Sequence, residues 1–216
     1  MSACGCDASA NELAANKRRR RTLRWVLAIN GVMFVGVLGA GIWADSRALI
    51  ADSADNLGDA LTYALSLLVI GQSLRWRAGA ALVKGGIQLL FGVLVVMSII
   101  RGLLGAPDPI GAAIIATASV ALVANLVCFV LLLKHRDEDV NMRSVWLCSR
   151  NDVLANAGVI VAGGLVAWFG SPWPDLVVAS LIAAIFLQTA YGVIRDALAA
   201  WREGGRAADQ GRLTTS

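Results

Sequence analysis

The sequence predicts an all-α membrane protein, a bundle of six transmembrane helices with both termini in the cytoplasm. Three observations predict this fold class. The chain has 216 residues, of which 57% are hydrophobic and only 16% are charged, whereas a soluble domain carries about 25% charged residues. Six apolar stretches each approach the ~20 residues that cross a bilayer core as a helix. Basic residues are dense in alternate connections between these stretches and sparse in the others.

The six apolar stretches define the predicted helices. They lie at about residues 25–44, 49–72, 85–104, 110–133, 145–169 and 174–195. All four prolines fall in the short links that follow the third and fifth stretches, which leaves the helix interiors without proline. We therefore predict a basic cytoplasmic tail at 1–24, a transmembrane domain at 25–200 and a short cytoplasmic tail at 201–216.

The basic residues assign an orientation to this bundle. A block from Lys17 to Arg21, together with Arg24, precedes the first stretch. Directly before an apolar run, such a block is typical of a cytoplasmic anchor rather than of a nucleic-acid patch. Basic residues recur after the second and fourth stretches and in the C-terminal tail, while the opposite side carries only Arg47 and Arg101. We expect the lipid bilayer, and no nucleic acid, as a partner.

Three carboxylates interrupt the second apolar stretch, namely Asp52, Asp55 and Asp59. A carboxylate at the centre of a membrane helix costs about 2.5–3.5 kcal/mol on insertion scales, so a purely structural helix has no reason to carry three. Asp55 and Asp59 are four residues apart and share one helix face. Asp52 lies closer to the outer interface, where simple solvation explains it equally well.

The fifth stretch repeats this spacing with Cys148, Asp152 and Asn156. Each of them also has an ordinary structural explanation. Cys148 is a small residue that packs well in a core, and Asn156 suits a hydrogen bond between helices. Asp152 could pair with Arg150 or act as a helix N-terminal charge. Arg150 is only two residues away and points to a different face, which favours a site role for Asp152.

Two such helices that face each other would gather carboxylate oxygens and one sulfur around a small cavity. Metal sites in helix bundles are built in this way, and these donors suit divalent transition metals. Residues 55–60 and 152–157 share a short pattern, an acid, a leucine, a small residue and then Asp or Asn. This similarity suggests that both helices have equivalent roles. The candidate metal ligands are Asp52, Asp55, Asp59, Cys148, Asp152 and Asn156.

The remaining reactive residues indicate little further chemistry. Cys4 and Cys6 either capture a soft metal ion as a flexible arm or are incidental. We expect Cys128 to pack and His135, the only histidine, to be solvated. The sequence contains no Gly-Lys-Ser/Thr loop, no Gly-x-Ser-x-Gly and no His-Glu-x-x-His motif. We therefore expect neither an ATP-driven pump nor an enzyme, and no prosthetic group.

At these positions the sequence resembles the cation diffusion facilitator family of divalent metal transporters. Ala51-Asp52-Ser53-x-Asp55-x-x-x-Asp59 is similar to the family's Ala-Asp-Ala-x-His/Asp-x-x-x-Asp pattern. Asn30 and Phe34 in the first span fit as well, as does Asn141-x-Arg143-Ser144 ahead of Cys148-x-x-x-Asp152-x-x-x-Asn156 in the fifth. The resemblance covers roughly residues 25–200, and six spans with both ends inside is the family topology.

The resemblance implies a tetrahedral transport site formed by Asp55, Asp59, Cys148 and Asp152. It implies exchange of Zn²⁺ or a related ion for protons, by alternating access, and we expect a homodimer in a bacterial-type inner membrane. Cys148 and Asp55 stand where the family usually or often has histidine. Three carboxylates would suit Mn²⁺ or Fe²⁺, while a thiolate favours Zn²⁺, Cd²⁺ or Co²⁺. The family's cytoplasmic C-terminal domain has no counterpart here, so we expect a short form.

The residues also indicate how metal and proton movement would be coupled. Carboxylates and thiolates bind a divalent ion only when deprotonated, so metal and protons compete for one site. In a bundle with two access states, an inward proton gradient would then drive metal out. Two other hypotheses stay open, a membrane metal sensor or assembly subunit that does not transport, and a carrier that uses the acids as counter-charges for an organic cation.

Overall fold

The structure, a computed structural model, describes residues 5–68, 74–105, 108–134 and 140–213, without the side chains at 5–16, 66, 74, 75, 77, 140–145, 147, 148 and 203–213. The described chain forms six helices and no strand. The helices are α1 (Gly5–Trp43), α2 (Arg47–Leu68), α3 (Leu74–Leu103), α4 (Gly111–Leu133), α5 (Val140–Phe169) and α6 (Trp173–Leu213). The predicted all-α architecture with six helices is confirmed.

Four helices extend beyond the apolar stretches that predicted them. α1, α3 and α5 begin earlier than expected and α6 continues as far as Leu213. Lys84, expected in a link after the second span, therefore lies within α3. The reason is that hydropathy marks only the apolar part of a helix, whereas Arg, Lys, Ala and Glu are themselves good helix formers. The helices continue through the basic flanks.

Five of the described helices are long and apolar enough to cross a membrane, and α2 is the exception. Its carboxylates lower its hydropathy. In the described chain, α2 is also the one helix that contacts all five others, and Asp52, Ser53 and Asn56 on it are buried. A polar helix is tolerated in a membrane where it faces the interior of the bundle. The other helices thus shield α2 from lipid.

The helices are arranged as a group of four and an attached pair. α1 packs most extensively on α2 and α4 on α5, and these two hairpins contact each other. α3 and α6 form the third close pair, which joins the group through α2 and α5. The α4–α5 contact is tight because small residues face each other. A Cβ atom on Gly111 would lie 2.8 Å from the backbone oxygen of Gly163, so the two backbones are nearly in contact.

Two apolar clusters fill the interior, one on each side of a polar layer. The larger one surrounds Leu49 and Ala54 on the N-terminal half of α2. The smaller one surrounds Tyr63 on its C-terminal half. On the outside, large apolar side chains such as Val32, Val120 and Trp168 are exposed. Such an extensive apolar surface is typical of a protein that contacts lipid.

Candidate metal centre

The polar layer is centred on three carboxyl groups from α2 and α5. Asp55 and Asp59 lie one helical turn apart on α2, and the α5 residue Asp152 hydrogen-bonds to the side chains of both. The charges of Asp55 and Asp59 also act on each other. The structure therefore brings together three of the four residues that the resemblance assigned to a transport site. These contacts favour a site role for Asp152.

Tyr63 closes one end of this acidic group. Its hydroxyl donates to Asp59 Oδ2 at 2.7 Å, and its side chain is 1% exposed, within the smaller apolar cluster. The ring position is thus fixed by packing, and the hydroxyl is held on the carboxylate. A hydrogen-bond partner of this kind orients a ligating side chain and stabilises its charge.

The α3 helix supplies a cation and an amide next to the acids. The ammonium group of Lys84 interacts electrostatically with Asp59 and donates to Thr62 Oγ1 at 2.5 Å. Gln88, one turn further along α3, packs on the glycine that lies between the two α2 acids. A Cβ atom on Gly58 would approach Gln88 Nε2 to 2.6 Å. The small residue lets α3 come close to the site.

Asp52 and Asn156 lie beside the three carboxyl groups on the same two helices. Asp52 is 2% exposed, which contradicts the alternative that it is simply solvated at the interface. Asn156 is fully buried, and its Nδ2 donates to the Asp152 backbone oxygen at 3.0 Å. Among the described residues, Asp52 Oδ2 and Asn156 Oδ1 are buried acceptors without a hydrogen-bond partner. Both oxygens are therefore available to a ligand.

Sequence reasoning missed Asn56 and Asn125, two of four buried asparagines in the described chain, one on each helix of the four-helix group. They are Asn30, Asn56, Asn125 and Asn156. In three of them the amide nitrogen donates to a carbonyl one turn back, at 2.9–3.0 Å. This arrangement leaves the amide oxygens to accept hydrogen bonds or bind cations. The signal was present, because each asparagine interrupts an apolar run.

Of the remaining cysteines and His135, only the side chain of Cys128 is described. Cys128 is buried in the smaller apolar cluster, 3.8 Å from Asn30 Nδ2, which confirms that it packs. The side chain of Cys148, together with those of Cys4, Cys6 and His135, lies outside the described residues. Within the part of the chain that is described, no group of three or more His, Cys, Asp or Glu side chains is placed to hold a metal ion. Asp152 hydrogen-bonds to Asp55 and to Asp59 instead.

Comparison with known proteins identifies the family. The cation efflux transmembrane domain matches residues 23–200. This chain belongs to the cation efflux family. Its relatives within the cation diffusion facilitators are bacterial, and with five membrane-spanning candidates in the described chain it is a multi-pass inner-membrane protein.

Named relatives of this cation efflux protein are metal transporters. It is 23% identical over 192 residues to the cadmium, cobalt and zinc/H(+)-K(+) antiporter of Bacillus subtilis, which covers 82% of this chain and 61% of the relative. It is 28% identical over 211 residues to the zinc transporter ZitB of Escherichia coli, covering 91% and 66%. The metal cation efflux system protein CzcD of Cupriavidus metallidurans is 25% identical over 197 residues, covering 85% and 62%. The chain thus spans about two thirds or less of each relative's length.

Proposed function

We propose that this cation efflux protein exports a divalent transition-metal cation, Zn²⁺, Cd²⁺ or Co²⁺, in exchange for protons. The observation that carries the proposal is the contact between the Asp152 carboxyl and both Asp55 and Asp59. The names of the relatives, which include zinc transporters and an antiporter, support the same class of cargo. Both termini are proposed to be cytoplasmic, on the distribution of basic residues.

The contact between the acids supports proton exchange. Two carboxyl groups can hydrogen-bond only if one of them contributes a proton, because an ionised carboxylate is an acceptor alone. The arrangement therefore corresponds to a site that holds protons. A divalent cation would need these oxygens deprotonated and turned toward a common centre. Loading of metal then expels protons, and uptake of protons expels metal.

The donors support this choice of cargo. Asp55, Asp59 and Asp152 supply oxygen. Cys148 lies one turn before Asp152 on α5, and its thiolate would add a sulfur ligand. A thiolate in the set favours Zn²⁺, Cd²⁺ and Co²⁺ over Mn²⁺ and Fe²⁺. We propose Zn²⁺ as the principal cargo, with no prosthetic group and no enzymatic reaction. We also propose a homodimer that associates through exposed apolar helix faces, each protomer holding its own site.

The test is metal-dependent proton flux in proteoliposomes. We expect Zn²⁺, Cd²⁺ and Co²⁺ to drive proton flux through the wild-type chain, and Asp152→Asn to abolish it. Asn keeps the size of the side chain, so the variant is expected to insert normally. Asp196→Asn is the matched control, because Asp196 is exposed and pairs with its neighbour Arg195 at 2.9 Å.

Three outcomes would contradict the proposal. Full flux in Asp152→Asn would mean that these acids do not form the transport site. Metal binding without flux in the wild type would make the protein a sensor or an assembly subunit. Flux of organic cations, competing with metal, would mean that the acids serve as counter-charges for another cargo.

A further inference from the structure

A further buried carboxylate, that of Asp175, lies far from the acidic group in sequence and caps the N-terminus of α2. Asp175, in the first turn of α6, accepts hydrogen bonds from the Arg47 N–H at 2.7 Å and the Ala48 N–H at 3.2 Å. It also accepts one from the Ser46 hydroxyl at 2.6 Å. The Ser46 oxygen in turn accepts from the Leu49 N–H at 3.2 Å. The first three amides of α2 are therefore satisfied, two of them by another helix.

This cap is buried and held from several sides. Asp175 and Ser46 are fully buried, and the Arg47 side chain is 4% exposed. The Arg47 charge acts on Asp175, and a Cβ atom on Gly102 of α3 would lie 2.9 Å from Arg47 Nε. The turn before α2 is tied in addition to the segment before α4, since the Ile110 N–H donates to the Ala44 oxygen at 3.0 Å.

We infer that Asp175 is a positioning residue for the transport site, which fixes the rotation and height of α2 so that Asp55 and Asp59 face Asp152. This inference rests on the proposed function of those acids. Asp175 itself would touch no metal ion, because its oxygens are occupied by the α2 amides and by Ser46. It acts through the helix that carries the ligands.

The geometry indicates why a helix cap controls a site two turns away. Asp55 lies eight residues beyond Arg47, or about 12 Å along the axis at ~1.5 Å per residue. A side-chain group on a helix lies roughly 5–6 Å from the axis. A rotation of α2 by about 20° would then shift its carboxyl groups by about 2 Å, which is the length of a metal–oxygen bond. Small rotations of α2 would therefore displace both carboxylates, and this cap opposes such rotations.

The test separates positioning from mere stability. Zinc affinity by calorimetry, and KM and Vmax for zinc-driven proton flux, are measured for Asp175→Asn and Ser46→Ala. Asn offers one oxygen where Asp offers two. We expect the affinity to fall and KM to rise about 10-fold in Asp175→Asn and about 5-fold in Ser46→Ala. The amount of folded protein and Vmax should change less than 2-fold in Ser46→Ala. Asp196→Asn on the same helix is the control, expected to match the wild type.

The outcomes distinguish a positioning role of the cap from a purely structural one. A fall in Vmax or yield with unchanged KM in Ser46→Ala would make the cap purely structural and overturn the inference. Ser46→Ala is the milder variant, so it decides the question even if Asp175→Asn does not fold. Asp152→Asn is measured beside them. If it retains flux, the proposed function fails, whereas loss of flux in Asp152→Asn with wild-type KM in both cap variants overturns the positioning role alone.

Discussion

The hydroxyl group of Tyr63 offers the sharpest test of how the acidic site is supported. Tyr63→Phe removes only the donor that lies 2.7 Å from Asp59 Oδ2 and keeps the ring, which is held in an apolar cluster. A hydrogen bond to a charged group contributes about 1.5–3 kcal/mol. Loss of an outer-shell partner typically lowers metal affinity by about 10–100-fold, which is about 1.4–2.7 kcal/mol. The two estimates agree, so we expect Zn²⁺ affinity to fall within that range.

The assay is calorimetric titration of Zn²⁺ into the purified protein, with proton flux measured in parallel. Tyr191→Phe is the matched control, because Tyr191 is the only other tyrosine and is exposed on α6. Thermal unfolding should be nearly unchanged in Tyr191→Phe and moderately lowered in Tyr63→Phe, which loses a buried hydrogen bond, so affinity is measured at a temperature at which both proteins are folded. A Tyr63→Phe protein that binds Zn²⁺ as tightly as the wild type would contradict this prediction, since Asp59 would then need no fixed orientation.

Two further predictions concern charge and packing. Lys84→Gln removes a positive charge that acts on Asp59 and that repels a bound cation. At a pH that keeps the acids ionised, Zn²⁺ affinity measured by calorimetry should therefore rise by about 5-fold, while Lys134→Gln at an exposed position should not change it. Equal or weaker binding in Lys84→Gln would contradict this. Gly111→Ala places a methyl group 2.8 Å from the α5 backbone, so it should destabilise the protein by about 1–3 kcal/mol. Gly158→Ala, with open space around it, should not, and equal melting temperatures for these two variants would count against the close α4–α5 contact.

Much of the acidic site could be predicted, because placing a charged side chain in the bilayer costs free energy. Asp55, Asp59 and Asp152 had to face the interior of the bundle, and the spacing of four placed the first two on one face. Both conclusions depend on single helices and the bilayer, and not on how the helices pack. The same cost explains why α2, the one described helix without an apolar window long enough to span a membrane, is the central one.

The role of Asp175 could not be predicted in the same way. It lies after Pro174 at the start of α6, where an acid ordinarily stabilises its own helix N-terminus. Its partners are the amides of α2, more than 120 residues earlier in the chain. No periodicity in the sequence encodes which helix ends meet in space. For the same reason the sequence predicted only that Arg47 lies on the side opposite the cytoplasm, and not that it is buried against α3 and α6, as the structure shows.

The position of α2 connects these observations. It belongs to the four-helix group and also contacts both helices of the α3–α6 pair, so any movement of the group against the pair changes its surroundings. The cap from Asp175 joins the N-terminal end of α2 to α6, whereas the acids of α2 meet α5 further along the helix. The first contact is made by three hydrogen bonds to Asp175, and the second by the carboxyl groups that exchange protons for metal in the proposed function. In that exchange we expect α2 to stay joined to α6 while metal replaces the protons at the α2–α5 contact.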